Sequence, residues 1–443
     1  MPCCMAEKYK WCEELPVVDY KDEEGKEYCI FHAPQDKKGV SVEKFNEEVF
    51  KRINEAKRDN SIPIASPSGP VLRNEKELIS CNLSGTVFEG NIDFTRFNSL
   101  PPVDFSFAKF NGDVNFSEIS FNREADFRNA TFNGEGYFFK TTFKEGLFSG
   151  VIFNKEVNFS GTKFVGTANF LIAKFSGVAY FFRATLDGKA DFTGVAFRWA
   201  NFLEATFNGD ASFTRTSVDG GDFRKVIIKE KVRFEGVNFK GISLMDTDLR
   251  KIDFINCEWP KKFGRNILYD EIELFKNKEE SKDFKEGIKK VEILYRLLKQ
   301  KYKEEHNEQE VSNWHYGEKE MFRKSNRFRR FLPSISTLYW LSSGYGERPV
   351  RAGITLSLLI IIISVLFGLT GIKSADNSNI IKINEWPADI WNLSYLMATI
   401  EYATFESKPN FIPEIWFLKI AAKLLIPLQA ALFALALRNR FRR

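Results

Sequence analysis

The chain has 443 residues, of which 44% are apolar and 28% are charged, and its formal net charge is +5. That length and apolar content exclude a wholly disordered chain, and the small net charge excludes nucleic-acid binding through overall charge alone. The sequence contains only 3 His against 45 Phe, so a histidine-based catalytic site is not expected. No phosphate-binding loop or nucleophile elbow is present in the sequence, and we therefore predict a protein that is not an enzyme.

The first predicted region, residues 1–81, is polar and contains one amphipathic helix. A linker rich in Pro, Ser and Gly follows the helix at residues 62–70. The chain does not start with the apolar segment that a secretory signal needs, so we expect reduced thiols in the cytosol. The predicted apolar face of the helix consists of Val42, Phe45, Val49, Ile53 and Ala56.

Thiols and one imidazole in this region form a candidate metal site, with Cys4, Cys12, Cys29 and His32 as its ligands. Cys29 and His32 are separated by two residues, which is a spacing that zinc-binding turns use. The seven residues between Cys4 and Cys12 are too many for a standard zinc finger. Ordinary free thiols are therefore the favoured interpretation, and a zinc site is the alternative.

An internal repeat occupies the next region, residues 82–259. From Phe105 to Phe254 a large apolar residue recurs every five or six residues, at 29 positions of which 24 are Phe. The position two residues before each of them is Ala, Val, Ile, Gly or Thr. Residues two apart share a face only in extended chain, and the residues between the pairs are turn formers or solvated groups. Each unit is therefore predicted to be a three-residue strand followed by a corner.

Such short strands cannot bury their faces alone, so they must stack as coils of a solenoid about 4.8 Å apart. This repeat resembles that of the pentapeptide-repeat proteins. The resemblance implies a mainly β fold, a right-handed and four-sided β-helix of roughly eight coils. The Phe residues at the repeat centres are predicted to fill its interior, among them Phe105, Phe110, Phe116, Phe121, Phe127, Phe132, Phe159, Phe164, Phe170 and Phe175.

Residues 260–331 are charged and are predicted to form a helical hairpin that caps or extends the β-helix. The first helix carries an apolar stripe at helical spacing, made by Ile288, Val291, Tyr295, Leu298 and Tyr302. A second helix carries Val311, Trp314, Met321 and Phe322. This region is similar to the helical connector that pentapeptide-repeat membrane proteins place before their membrane segments.

The last region, residues 332–443, is predicted to be a membrane module. A span near 352–372 is 21 residues without a charge, which is long enough to cross hydrocarbon. A second span near 414–437 contains Lys419 and Lys423, which can extend toward the interface. A helix lying on the membrane surface is the alternative interpretation of this second segment.

The distribution of basic residues predicts the orientation of the module. Residues 319–351 hold eight Lys and Arg, and the C-terminal tail holds four Arg, whereas residues 373–413 hold three Lys against five Asp and Glu. By the positive-inside rule, both termini and the β-helix are expected in the cytoplasm of a multi-pass membrane protein. The basic segment that precedes the first span, residues 323–330, is expected to contact anionic lipid.

Residues 391–405 lie between the two spans, and this arrangement resembles a two-transmembrane, potassium-channel-like pore module. The filter motif of that family falls on Thr399, Ile400, Glu401, Tyr402 and Ala403, with Glu401 and Ala403 in place of its two Gly. Because a filter aims consecutive carbonyls at the ion with the help of Gly, an architectural hairpin is favoured over a conducting pore. A second filter-like string, Ser343–Glu347, has no span before it and is predicted to be a turn.

We expect a membrane-anchored, non-enzymatic interaction platform with membrane lipid and an unidentified protein as partners, and a homo-oligomer is possible. The first alternative is an ion channel of the two-transmembrane class assembled through the β-helix. The second is a DNA-mimicking topoisomerase regulator, which requires a strongly acidic solenoid. Residues 82–259 contain 21 Lys and Arg against 22 Asp and Glu, a net charge of −1, which disfavours that mechanism. No nucleic-acid partner is expected, and no cofactor is expected apart from the zinc alternative.

Overall fold

The computed structural model describes residues 3–61, 80–262, 264–276, 282–325, 335–370, 372–374, 380–381, 411–413 and 416–441. The chain forms two compact units, Met1–Leu297 and Leu298–Arg443. The α-helices of the described ranges are α1 (Val42–Ser61), α2 (Tyr269–Lys276), α3 (Lys282–Glu304), α4 (Glu308–Ser325), α5 (Ile335–Ser343), α6 (Pro349–Thr370) and α7 (Trp416–Phe441).

Two parallel sheets of short strands dominate the first unit. One sheet has 14 strands: Cys81–Asn82, Ser99–Leu100, Val103–Asp104, Ser120–Asp126, Thr142–Leu147, Lys163–Phe164, Ala168–Asn169, Thr185–Leu186, Ala190–Asp191, Thr206–Phe207, Ala211–Thr214, Ile227–Ile228, Val232–Glu235 and Ile252–Ile255. The other has 13: Val87–Phe88, Ile92–Asp93, Lys109–Phe110, Val114–Asn115, Thr131–Phe132, Gly136–Tyr137, Ile152–Phe153, Val157–Asn158, Lys174–Tyr180, Ala196–Asn201, Ser217–Val218, Gly221–Asp222 and Ile242–Ser243.

The strands pair in register with those one coil further along the chain. Phe110 lies opposite Phe132, and Phe132 lies opposite Phe153, so one coil takes 22 residues and the next takes 21. The two pairs of rings stack with centroids 4.6 Å apart in each case. Each coil sends four large side chains inward, and all ten Phe predicted for the interior are buried. The predicted β-solenoid of about eight turns is therefore confirmed.

The corners of the coils explain the polar residues of the repeat. Asp or Asn often precedes the central Phe, and its side chain accepts a hydrogen bond from the backbone two residues later, as Asp104 does from Ser106 N–H at 2.8 Å. At two of the four corners, the residue directly after this donor amide has a positive φ, a conformation that Gly adopts without strain. Ile172 has a φ of 53° at such a corner, while Gly150 and Gly194 occupy the equivalent corners of the neighbouring coils.

Helices cover both ends of the solenoid and thereby protect the outermost strands and rings. On α1, Phe45 packs on Phe88 with ring centroids 5.7 Å apart, and Phe50 packs on Phe94 at 5.8 Å. At the other end, Asp270 of α2 accepts hydrogen bonds from the Ser243 hydroxyl and from the Leu244 and Met245 amides. Burial raises the pKa of the Asp270 carboxyl, although these donors act in the opposite direction.

Two short hairpins complete the strands of the first unit, and α3 continues from this unit into the second. The hairpins pair Val17–Lys21 with Glu27–Cys29 and Lys261–Lys262 with Arg265–Asn266. All five residues of the stripe predicted for α3 are buried. In α4 the predicted residues Trp314 and Met321 are buried, but Phe322 is 43% exposed, because it lies about a quarter of a turn around the helix from both of them.

The second unit contains α4 to α7 and a small antiparallel sheet of Ile372–Ser374, Ile380–Ile381 and Phe411–Pro413. Helices α6 and α7 correspond to the two predicted spans. Helix α6 starts three residues earlier than predicted, at Pro349, and α7 extends to Phe441, so it includes Arg438 and Arg440. The fold therefore agrees with the predicted order of a β-solenoid, helices and two apolar C-terminal helices.

Candidate functional site

Four buried side chains near the N-terminus form the densest group of potential metal ligands in the described ranges: Cys3, Cys12, Cys29 and His32. Their sulfur atoms and one imidazole nitrogen all lie within 4.8 Å of one another. We refer to these four residues as the thiol–imidazole cluster. Cys12 and Cys29 are completely buried, Cys3 is 2% exposed and His32 is 6% exposed. The cluster is therefore shielded from water by the segment that precedes the solenoid.

Local backbone structure brings the cluster together. Cys29 ends a short strand, and the amides of His32 and Ala33 donate to its carbonyl in a tight turn, which places the side chains of Cys29 and His32 side by side. Cys12 ends a 3-10 turn (Lys10–Cys12). Cys3 reaches the same point because the next residue, Cys4, donates its amide to the Glu27 carbonyl at 2.7 Å.

The imidazole of His32 is oriented toward the three sulfur atoms. Its Nε2 lies 3.2 Å from the Ser84 carbonyl oxygen, which can only accept a hydrogen bond, so Nε2 carries the proton. The lone pair of Nδ1 then faces the thiols, with Cys29 Sγ at 3.2 Å and Cys3 Sγ at 3.6 Å. The ring stacks on Tyr9 and contacts Trp11, at centroid distances of 5.2 and 5.3 Å.

The three thiols influence one another's protonation. A hydrogen bond from the Cys29 thiol lowers the pKa of Cys3 to about 3, and the same bond raises the pKa of Cys29. Burial raises the pKa of Cys12 to about 12, and the Cys12 thiol donates to the Tyr9 carbonyl at 3.1 Å. Three sulfur atoms and the lone pair of His32 Nδ1 therefore share one buried space.

The structure corrects one member of the predicted ligand set. Cys12, Cys29 and His32 come together as predicted, but the fourth member is Cys3 and not Cys4. Cys4 begins a turn in which the Ala6 amide donates to the Cys3 carbonyl at 2.8 Å, and the side chains of the two adjacent Cys point in different directions, so only Cys3 faces the cluster. Cys4 is half-buried and lies near Tyr28, and burial raises the pKa of its thiol. The sequence offers no signal that distinguishes these two adjacent thiols.

A row of outward residues on the solenoid forms a second candidate site. Residues 139, 160, 182 and 203 occupy the same place in successive coils, as the backbone hydrogen bonds between adjacent coils show. Phe139 is 37% exposed, and Phe182 and Leu203 are half-buried. Two cations flank these rings, since Lys140 Nζ lies 5.0 Å from the Phe139 centroid and Arg183 lies 4.8 Å from Phe182. We call Phe139, Phe182 and Leu203 the aromatic row.

Helices α6 and α7 pack against each other as an antiparallel pair in the second unit. At one end the Gln429 amide donates to the Thr355 hydroxyl at 2.6 Å and to the Ala352 carbonyl at 3.0 Å. At the other end a buried apolar cluster joins the helices: Ile363, Phe367, Leu418, Ala422 and Ile426. Thus the start of α6 and the end of α7 lie together.

The opposite faces of α6 and α7 are apolar and exposed. Each helix is long and apolar enough to cross a membrane, over Pro349–Phe367 and Ile420–Phe441. A core helix of a water-soluble fold would be largely buried, but only 22% of each of these segments is buried. Apolar residues that are more than half exposed on these helices include Val350, Ile354, Ile362, Leu369, Phe417, Leu424 and Leu428.

The predicted turn at Ser343–Glu347 connects α5 to α6. Gly344, Tyr345 and Gly346 all have positive φ, which reverses the chain within a few residues. The Tyr345 ring is buried between Tyr316 and Tyr339, and its hydroxyl donates to Glu320 of α4 at 3.3 Å. This filter-like string therefore serves as a packed helical turn. The predicted pore-like residues 391–405, including Thr399, Ile400, Glu401, Tyr402 and Ala403, lie outside the described residues.

Comparison with known families identifies the repeat. Residues 173–217 match the family described as pentapeptide repeats (9 copies). The chain contains a pentapeptide-repeat solenoid. No curated protein matches the chain. The matched residues lie within the ring-filled coils, so the match supports the fold of the solenoid. It does not extend to the thiol–imidazole cluster or to the two apolar helices.

Proposed function

We propose that this pentapeptide-repeat protein is a non-enzymatic interaction platform held at a membrane by α6 and α7. The observation that carries the proposal is the exposed apolar surface of both helices. Leu424 is 65% exposed and Leu428 is 58% exposed on α7, and Ile354 is 55% exposed on α6. Contiguous apolar surface of this extent is unfavourable in water and favourable in hydrocarbon, so a lipid bilayer is the environment that these helices fit.

The antiparallel packing supports a cytoplasmic orientation for the solenoid and both termini. Because Gln429 lies next to Thr355, the basic residues just before and at the start of α6 and those at the end of α7 lie on the same side of the membrane. Arg348 and Arg351 belong to the first group, and Arg438 and Arg440 belong to the second. A concentration of Arg on one side predicts that this side is cytoplasmic.

Extraction and topology experiments test the membrane proposal. The full chain should remain in the membrane fraction after carbonate washing and should be released only by detergent. A green fluorescent protein fused to the C-terminus should fluoresce, whereas alkaline phosphatase fused at the same point should be inactive, because only the latter needs export. Release by carbonate, or an active phosphatase fusion, would contradict membrane insertion or the orientation, respectively.

The aromatic row supports binding of a protein partner by the solenoid. Exposed rings next to cations are enriched at protein interfaces, and the interior of the coils is occupied by stacked Phe, which leaves the outer surface for recognition. The double variant Phe139→Ser and Phe182→Ser should lose partners that crosslink to the wild-type chain in membranes. The control is Ile227→Ser, which changes a 53% exposed residue elsewhere on the solenoid and should retain them. Equal crosslinking by both variants would refute binding through the aromatic row.

A channel of the two-transmembrane class is the second candidate, because two packed apolar helices flank the segment that contains Thr399 and Tyr402. Purified protein in planar bilayers should then give single-channel currents that disappear on substitution of Thr399. Silent bilayers would leave the platform as the supported function. Currents that depend on Thr399 would replace it with the channel.

A further inference from the structure

The thiol–imidazole cluster has the composition and the arrangement of a tetrahedral zinc site. Three Cys and one His are a ligand set that structural zinc sites use. We propose that Cys3, Cys12, Cys29 and His32 bind one Zn²⁺ ion, which fastens the N-terminal segment to the first coil of the solenoid. This inference is independent of the proposed membrane function.

The separation of the ligand atoms fits such an ion. With Zn–S bonds of about 2.3 Å and Zn–N bonds of about 2.0 Å, the ligand atoms of a tetrahedron lie about 3.5–3.8 Å apart. In the structure His32 Nδ1 lies 3.2 Å from Cys29 Sγ and 3.6 Å from Cys3 Sγ. All four atoms lie within 4.8 Å of one another, so small side-chain movements suffice to close the tetrahedron.

Hydrogen bonds around the cluster already orient the side chains that would hold the metal. The His32 Nε2–H donates to the Ser84 carbonyl, which leaves Nδ1 free to coordinate, and this is the arrangement that most metal-binding His adopt. The Cys29 amide donates to Cys3 Sγ at 3.3 Å, a bond that stabilises a thiolate. Cys12 must exchange its hydrogen bond to the Tyr9 carbonyl for the metal. The protons of the thiols that are still protonated are released to solvent when zinc binds.

A zinc ion would connect three separate parts of the N-terminal segment. It would join Cys3 and Cys12 to the turn at Cys29 and His32, and this turn is already attached to the first coil. Two hydrogen bonds make this attachment. His32 Nε2–H donates to the Ser84 carbonyl, and the Val87 amide donates to the Phe31 carbonyl at 2.9 Å. Trp11 adds a third bond, from Nε1 to the Ser84 hydroxyl at 3.0 Å. Removal of the metal should therefore loosen the cover of the first coil.

Metal analysis of the full chain tests the proposal. The protein carries a C-terminal affinity tag, is purified in detergent without chelators, and is analysed by inductively coupled plasma mass spectrometry. We expect about one zinc per chain in the wild type, and about a tenth of that or less in Cys29→Ser and in Cys12→Ser. Cys4→Ser and Cys81→Ser are the matched controls, because both residues are thiols of the same region outside the cluster, and both variants should keep the metal.

A second measurement guards against variants that fail to fold. Cobalt exchanged into the wild-type chain should give visible absorption of a tetrahedral site together with a thiolate charge-transfer band, and Cys4→Ser should give the same spectrum. Chelation of the metal should speed amide exchange in residues 81–94 on the order of tenfold. A well-folded wild type without zinc would overturn the proposal, as would a disulfide within the cluster, bound iron in place of zinc, or unchanged zinc in Cys29→Ser.

Discussion

The solenoid and the α6–α7 pair are both rich in apolar residues. The solenoid directs its large apolar side chains into its interior, whereas α6 and α7 expose many of theirs. In the solenoid, Phe148 is fully buried between the rings of Phe127 and Phe170, at centroid distances of 5.0 and 4.9 Å. On α7, Leu424 and Leu428 are more than half exposed. Apolar content therefore does not indicate the surroundings of a region by itself. The direction of the side chains is more informative, and the exposed leucines of α7 are the observation behind the proposed membrane insertion.

The largest expected effect concerns the ring columns, which are the stacks of Phe rings that run through the interior of the solenoid from coil to coil. Phe148→Ala should lower the free energy of unfolding of the surrounding coils by about 3–5 kcal/mol, because it leaves a cavity between two stacked neighbours. Hydrogen exchange of residues 127–170 in the detergent-solubilised chain measures the change. The control is Phe139→Ala, the same substitution at a ring that is 37% exposed, which should cost about 1 kcal/mol or less. Equal losses at both positions would contradict the inward stacking.

These ring columns were predictable from the sequence, but the outer surface was not. The interval of five or six residues and the small residue two positions earlier are enough to show which side chains face inward. Which outward residues become neighbours depends on where the six-residue steps fall, since they make coils of 20, 21 or 22 residues. Phe139 and Phe182 are 43 residues apart in sequence and two coils apart in space, so the aromatic row required the structure.

The candidate metal site was predictable only in part, for a related reason. Cys29 and His32 lie in one turn, so their short spacing predicts their proximity. Cys3 and Cys4 are adjacent, and the choice between them depends on the conformation of the turn that begins at Cys4. Helix α6 was predictable because an uncharged apolar run of this length is typical of a helix long enough to cross hydrocarbon. The pairing of Gln429 with Thr355 depends on how α6 and α7 pack, which the apolar pattern does not specify.

A pH experiment sharpens the comparison, because the ring columns contain no titratable group whereas α4 contains the half-buried His315. Burial lowers the pKa of His315 to about 4, and the nearby cations Lys299 and Lys319 act in the same direction. Between pH 6.5 and 4, His315 binds a proton in the unfolded chain but stays neutral in the folded chain, so the free energy of unfolding falls as the pH falls through this range. We expect a loss of about 2 kcal/mol between about pH 7.5 and pH 4, which is less than the full pKa shift implies because solvent screens the partly exposed imidazole.

Thermal unfolding of the full chain in detergent, followed through tryptophan fluorescence of the second unit, measures this loss. His315→Gln should remove most of the pH dependence between pH 6.5 and 4. The control His306→Gln changes an exposed histidine in the turn after α3 and should leave the dependence unchanged. The same slope in both variants would show that groups other than His315 are responsible.

A smaller effect is expected at the polar contact between α6 and α7. Gln429→Leu removes the amide that donates to Thr355 and to the Ser342 and Ala352 carbonyls. Hydrogen bonds between membrane helices stabilise by about 1 kcal/mol, so a loss of that size is expected in the thermal stability of the second unit. Leu428→Met, at a residue that is 58% exposed on the apolar face, should have no measurable effect. A larger loss in Leu428→Met would place that face in a protein contact.

The smallest effect is a gain in stability at a corner of the solenoid. Ile172 is β-branched, has a φ of 53° and is 63% exposed, so it carries the strain of a left-handed conformation and buries little surface in return. Ile172→Gly should raise the free energy of unfolding by about 0.5–1 kcal/mol, since relief of about 1–2 kcal/mol of strain exceeds the added entropy of the unfolded chain. In Ile152→Gly the same change falls within a strand, and the loss there should be about 1 kcal/mol. A loss of stability in both variants would contradict this prediction. It would show that packing of the Ile172 side chain next to the corner at Gly194 stabilises the fold by more than the left-handed backbone conformation destabilises it.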